Sequence, residues 1–247
     1  MAISFKPYYK SDNLIGEGTV KFRPYTATKP VEVYTDCLTF TGKTSDFTLK
    51  ATNKTWNGTL EWSTDHNTWT TLAGTEAMQS VDKKLYLRGK GNTGFYIDAG
   101  DYSKGVQWIL SALANCTGNI QTLLDWENPP TSVSTNCYRK MFDGCANLAT
   151  APELPATTLA KSCYYSMFYK CSNLMTAAAL PAGSLREFCY NSMFDGCTKL
   201  KVNTTSGNKI FTCPSYIPNG AVTQMFEYVP NTPYGTPTAG NTYYWTE

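Results

Sequence analysis

The chain has 247 residues, a formal net charge of +2, 16% charged and 14% aromatic residues, and a single histidine. That balance supplies no field to draw it to nucleic acid or an anionic membrane surface. Its longest uncharged run, Gly105 to Leu124, is broken by Gln107, Ser111, Asn115, Thr117, Asn119 and Gln121, so no membrane insertion is expected.

Residues 1–30 begin MAISFKPYYKSDNLIGEG, with no apolar stretch of the kind a signal peptide needs. The chain is therefore expected to stay in the cytoplasm or to leave by a route other than Sec export. The segment carries Phe5, Tyr8, Tyr9, Phe22 and Tyr25 but is too short for a core of its own. It is expected to order only against the rest of the chain or a neighbouring chain, as a docking segment.

Residues 31–105 alternate short β-forming runs with Gly- and Asn-rich turns. The runs are Val31–Tyr34, Leu38–Phe40, Phe47–Leu49, Leu60–Trp62, Trp69–Leu72, Leu85–Leu87 and Phe95–Ile97, a spacing that predicts a β-sandwich-like domain. Gly89-Lys-Gly91-Asn-Thr-Gly94 matches a dinucleotide-binding fingerprint, but Phe95-Tyr96-Ile97 reads as a strand where that site needs a helix. His66, between Asp65 and Asn67, reads as a turn residue. No nucleophile elbow, P-loop or paired carboxylate motif is present, so no catalytic residue and no enzyme is expected.

Residues 106–230 contain an internal repeat. CYRKMFDGCANL (137–148), CYYSMFYKCSNL (163–174) and CYNSMFDGCTKL (189–200) recur at a step of 26, with L-P-A at Leu154–Ala156 and Leu180–Ala182 between copies. Full repeats fall near 137–162, 163–188 and 189–220, and a degraded copy starts at 221 with Ala221, Val222, Met225 and Phe226. A fixed period of this size predicts a solenoid. Leu159, Cys163, Met167, Cys171 and Leu174 read as one stripe of a short helix. Leu148 to Leu154 reads as a strand, with Pro152 limiting its pairing. The fold expected is α+β: an all-β domain followed by a short solenoid, strands on one face and helices on the other. The repeat core is Cys137, Met141, Phe142, Cys145, Cys163, Met167, Phe168, Cys171, Cys189, Met193, Phe194 and Cys197.

Nine cysteines invite a disulfide reading. On helices, however, Cys163 and Cys171 would lie roughly 12 Å apart, and cysteines of adjacent repeats about 8–10 Å apart. Both exceed the reach of a disulfide, so the six repeat cysteines are expected as buried apolar ladders. No C-x-x-C occurs and His66 is distant in sequence, so no metal site and no cofactor is expected. The tail, 231–247, ends in Tyr243-Tyr244-Trp245. Those aromatics either cap the last repeat or contact a sugar or partner chain.

The unit C-Y-x-x-M-F-x-x-C-x-x-L followed by L-P-A resembles the BspA-like branch of leucine-rich repeats, over roughly residues 106–230. Leu60-Glu-Trp-Ser-Thr-Asp65 through Trp69 is similar to a hairpin that sits upstream in such proteins. The resemblance implies a recognition or scaffold module without catalysis. With no export signal in view, the expected setting is a tailed-phage particle, as a fibre or decoration protein located in the virion. Residues 1–30 would dock to other virion proteins. The repeats would face a host surface protein or glycan, and a homo-oligomer is a further expected partner. The alternative is a bacterial cell-surface adhesin separated from its export signal.

Overall fold

The strands of the first half follow from period-two burial. In the computed structural model, which describes residues 37–96, 105–230, 232 and 235–247, β1 (Leu38–Gly42) buries Leu38 and Phe40, and Thr39 and Thr41 face the other way. β2 (Thr48–Ala51), β3 (Thr59–Ser63), β4 (Thr70–Thr71), β5 (Met78–Gln79), β6 (Lys84–Lys90), β7 (Trp108–Leu110) and β8 (Ala114–Thr117) follow. β6 buries Leu85, Leu87 and Gly89 and turns Tyr86 and Arg88 outward. Later strands are β9 (Leu148–Thr150), β10 (Lys201–Asn203), β11 (Asn208–Thr212) and β12 (Thr242–Thr246). They form a six-stranded sheet, β4-β3-β6-β1-β8-β9, and two three-stranded sheets, β5-β2-β7 and β10-β12-β11. The larger sheet crosses from the first half into the repeats through the parallel pair β8–β9, Ala114 opposite Leu148.

The α+β expectation is overturned. Among the described residues there is no α-helix, and the one helical element is a four-residue 3-10 turn, Ile120–Leu123. The helix-and-strand solenoid expected of residues 106–230 is replaced by stacked, hydrogen-bonded turns. The reason lies in the period. The buried stripe recurs every four residues, whereas an α-helix drifts about 40° at each such step, so a straight stripe needs the chain to be reset each turn. A residue in the left-handed region does this at every fourth position: Ser162, just before the second repeat, and Ser166 and Lys170 within it (φ 54°, 51° and 57°), then Phe188, just before the third, and Ser192 and Gly196 within it (φ 55°, 50° and 74°).

Hydrogen bonding alternates accordingly. In the second repeat the N–H groups of Tyr165, Met167 and Tyr169 close three-residue turns on Ser162, Tyr164 and Ser166, each at 3.2 Å. The intervening N–H groups of Tyr164, Ser166, Phe168 and Lys170 donate to Cys189, Asn191, Met193 and Asp195 of the next repeat, at 2.7–3.0 Å. Half the donors of each turn run are therefore satisfied only by a neighbour, which makes the stack cooperative. Side chains register in the same way. Tyr138, Tyr164 and Tyr190 stack at 5.7 and 6.0 Å, and Phe142, Phe168, Phe194 and Phe226 at 5.6, 5.4 and 5.8 Å between ring centres.

The chain closes both ends of this stack. On the first repeat, Phe95 and Trp108 donate their N–H groups to Cys137 and Met141, each at 2.8 Å, and the Phe95 ring stacks on Tyr138. At the far end Phe226 donates to Gly235, and Tyr243 covers Phe226 and Phe211. The buried side chains of sheets and turns belong to one continuous cluster.

The twelve repeat-core residues are all buried. The nine cysteines are free thiols. The helix-spacing argument against disulfides fails with the helices, since consecutive repeats sit only as far apart as their stacked rings. Cys171 and Cys197 instead donate S–H to the carbonyls of Phe142 and Phe168 in the preceding repeats, at 3.0 and 3.1 Å. Burial pushes these thiols well above their ordinary range, and it sets Cys145 and Cys189 at about 11 and Cys137 at about 12.

Candidate functional site

Positions 148–150, 174–176 and 200–202 are equivalent in successive repeats, yet the chain treats them differently. The first is β9, paired with β8. The second is held to it by a bridge between Thr150 and Thr176 and by the Met175 N–H on the Ala149 carbonyl at 3.0 Å. The third falls at β10, which leaves this ladder and pairs with β12: Lys201 opposite Thr246, Val202 opposite Trp245. A parting opens where the two sheets diverge.

Two hollows lie along the parting and share Thr150 and Thr176 in their linings. One, of about 650 Å³, is lined by Met175, Thr198, Lys199, Lys201 and, from the turn after β1, Lys43. The other, of about 530 Å³, is lined by Ala177, Ala178, Ala179, Pro152, Pro181 and Trp245. Both volumes fall within the usual span of small-ligand sites. The floor is fixed: the Thr150 hydroxyl donates to the Cys116 carbonyl at 3.0 Å and accepts from its N–H at 2.9 Å. Lys43 is anchored by its N–H on the Leu113 carbonyl at 2.9 Å. Lys199 Nζ donates to Asn173 Oδ1 at 2.6 Å.

The structure separates the three tail aromatics. Tyr243 is core, stacked on Phe211 at 5.5 Å, with its hydroxyl accepting from the Thr238 N–H at 2.8 Å. Tyr244 is half-buried opposite Asn203 and Lys209 and lines neither hollow. Trp245, partly buried against the core, forms a wall of the second hollow. Phe5, Tyr8 and Tyr9 lie outside the described residues. The sequence reading missed Lys43, Met175, Thr176, Lys199 and Lys201. A signal was present in the repeat itself: Ala149, Met175 and Lys201 occupy one position, and the small buried residue of the first copy becomes a large exposed one in the next two.

Two other features carry less. Cys37 Sγ lies 3.2 Å from His66 Nε2, a thiol–imidazole pair. Asp65 does not complete it, since its carboxylate accepts from the N–H groups of Asn67 and Thr68 and from Ser63. Desolvation and the nearby Arg88 lower the His66 pKa, and neither hollow is lined by either residue. The glycine-rich stretch after β6 leads into Phe95 and an isolated bridge from Tyr96 to Gly105, and among the described residues no helix follows to face a phosphate. Among the described residues no group of three His, Cys, Asp or Glu side chains is placed to hold a metal ion, and no helix is long and apolar enough to cross a membrane.

The parting can hold a ligand by contact, hydroxyl groups and charge. Comparison of the chain with family models, with curated proteins and with solved structures finds no match.

Proposed function

We propose that the chain is a non-enzymatic recognition module whose ligand lies in the parting between the β9 edge and the β10–β12 pair. The observation that carries this is Trp245, an indole half-buried beside a floor of alanines and prolines. An indole held rigid by its strand offers contact area at little cost in side-chain entropy. Display on a tailed-phage particle, facing a host protein or glycan, is the setting proposed, and it draws on the resemblance of the 26-residue unit to BspA-like repeats. A bacterial surface adhesin is the alternative setting. Mass spectrometry of purified particles distinguishes them: the phage setting requires this chain among the virion proteins, and its absence there rules that setting out.

A glycan array probed with the purified chain tests the recognition reading. At least one glycan is expected to retain the native chain and to lose Trp245→Ala. Thr176→Arg, which puts a long side chain at a residue lining both hollows, is expected to abolish retention with melting temperature unchanged. Retention that survives both substitutions overturns the reading, as does an array on which nothing is retained.

A further inference from the structure

Two features of the parting bear on what it holds, one geometric and one electrostatic. The two hollows share Thr150 and Thr176 in their linings, so an occupant that reaches from one to the other is longer than one small molecule. One end is walled by Trp245 above alanines and prolines. The other is rimmed by Lys43, Lys199 and Lys201, with Met175, 38% exposed, between them. None of the three lysines forms an ion pair with a described residue. Among the described residues, Glu247 is the one carboxylate side chain that lines this end, and Glu153 lines the other hollow. Three ammonium groups against one carboxylate leave the rim cationic in a chain whose overall charge is close to neutral.

We infer that the parting binds a sugar polymer that carries carboxylates; the inference rests on the recognition reading and names its ligand class. A pyranose ring presents C–H faces to an indole and to flat alanine and proline surfaces, and its hydroxyls match the threonines along the floor. The acidic groups of neighbouring sugars then fall to the lysine end. A single-stranded nucleic acid shares the negative charge but needs a run of aromatic platforms, and Trp245 is the one aromatic among the described residues lining the two hollows. Lysine, a flexible point charge, suits carboxylates that recur along a polymer without fixed bidentate geometry.

The test uses the intact chain and matched probes: polygalacturonate, hyaluronate and alginate, each against its own methyl ester, with oligothymidylate as a further polyanion. Affinity is read from tryptophan fluorescence and titration calorimetry. At least one acidic polymer is expected to bind, with its ester at least tenfold weaker and with affinity falling as salt screens the rim. Lys199→Gln with Lys201→Gln is expected to weaken that binding about five- to tenfold, since both side chains are exposed and each pair contributes modestly. Equal binding of acid and ester, or binding unmoved by the double substitution, overturns the acidic-ligand inference and leaves the recognition reading to the array. Tighter binding of oligothymidylate than of every sugar polymer overturns it too. Binding of no probe overturns it, while a Trp245-dependent hit on the array would still uphold recognition by the parting.

Discussion

The sheets of residues 38–117 and the turn runs of residues 137–229 bury the same kinds of side chain by different means. In β1 and β6 burial alternates residue by residue, and each strand's N–H groups pair with strands distant in sequence. In the turn runs burial comes in adjacent threes, Ser162–Cys163–Tyr164 and Ser166–Met167–Phe168, and hydrogen bonds alternate between the same run and the next. A strand at a sheet edge can lose its neighbour and keep its shape. A turn run that loses its neighbour loses half its backbone partners at once. Damage should therefore spread further in the repeats than in the sheets.

The largest expected effect tests that spread. Phe168 is fully buried between Phe142 and Phe194, 5.6 and 5.4 Å away. Phe168→Ala is expected to cost about 3–5 kcal/mol, and hydrogen exchange should accelerate through the runs on both sides. Leu49→Ala in β2, also fully buried, should cost about 2–5 kcal/mol with faster exchange confined to its own sheet. Equal spread in the two variants would remove the distinction between the regions.

A pair of hydroxyls sharpens the comparison within the tyrosine column. Tyr138 donates to Gln121 Oε1 at 2.7 Å in a fully buried site, whereas the buried hydroxyl of Tyr164 has no hydrogen-bond partner. Tyr138→Phe is expected to lose about 1 kcal/mol and Tyr164→Phe to gain up to about 1 kcal/mol, because an unmet buried hydroxyl carries its desolvation cost. Urea denaturation of the two variants measures the difference, and a loss from Tyr164→Phe would mean that its hydroxyl is satisfied.

Stacking also brings like charges together. Asp195 has its pKa raised to about 6, first by burial and then by Glu227 of the next run, with Lys170 opposing. An acid raised above its unfolded value stabilises the fold while protonated. That contribution is full below the unfolded value near 3.8 and is lost as pH rises through about 6. Stability should thus fall between pH 4 and 6 by something on the order of 1 kcal/mol after solvent screening. Asp195→Asn should flatten this part of the profile, and an unchanged slope would assign it to other groups.

How much of this was legible follows from the same contrast. Leu38–Phe40, Leu60–Trp62 and Leu85–Leu87 announce strands because a two-residue period has one backbone solution, whereas the two-residue β5 (Met78–Gln79) is too short to show a period. The repeat was legible as a repeat and its buried residues as buried. Its backbone was not, because a four-residue period lies close to 3.6 and reads as helical when the left-handed resets fall on serine, lysine, phenylalanine and glutamine as well as glycine. The parting was hidden for another reason: it depends on β10 pairing with β12, a contact between segments about 40 residues apart that no local pattern encodes. Trp245 could be chosen from its type, but only the fold separates it from Tyr243 and Tyr244.

The smallest effect discriminates most sharply between the helix that the sequence suggests and the turn run that forms. Lys170 is exposed, at φ 57°, and the equivalent residues of the neighbouring repeats are Gly144 and Gly196, at φ 73° and 74°. In a helix, an exposed alanine is more stable than glycine by about 1 kcal/mol. In the left-handed region the order reverses, because Cβ crowds the following carbonyl at a cost of roughly 1–2 kcal/mol that glycine escapes. Lys170→Ala and Lys170→Gly both remove the ammonium group and its contact with the Tyr169 ring, so their difference isolates Cβ. The glycine variant is expected to be the more stable by about 1 kcal/mol, read from paired thermal and urea unfolding. The opposite order would restore the helix at this position and undo the account of why the stripe repeats every four residues.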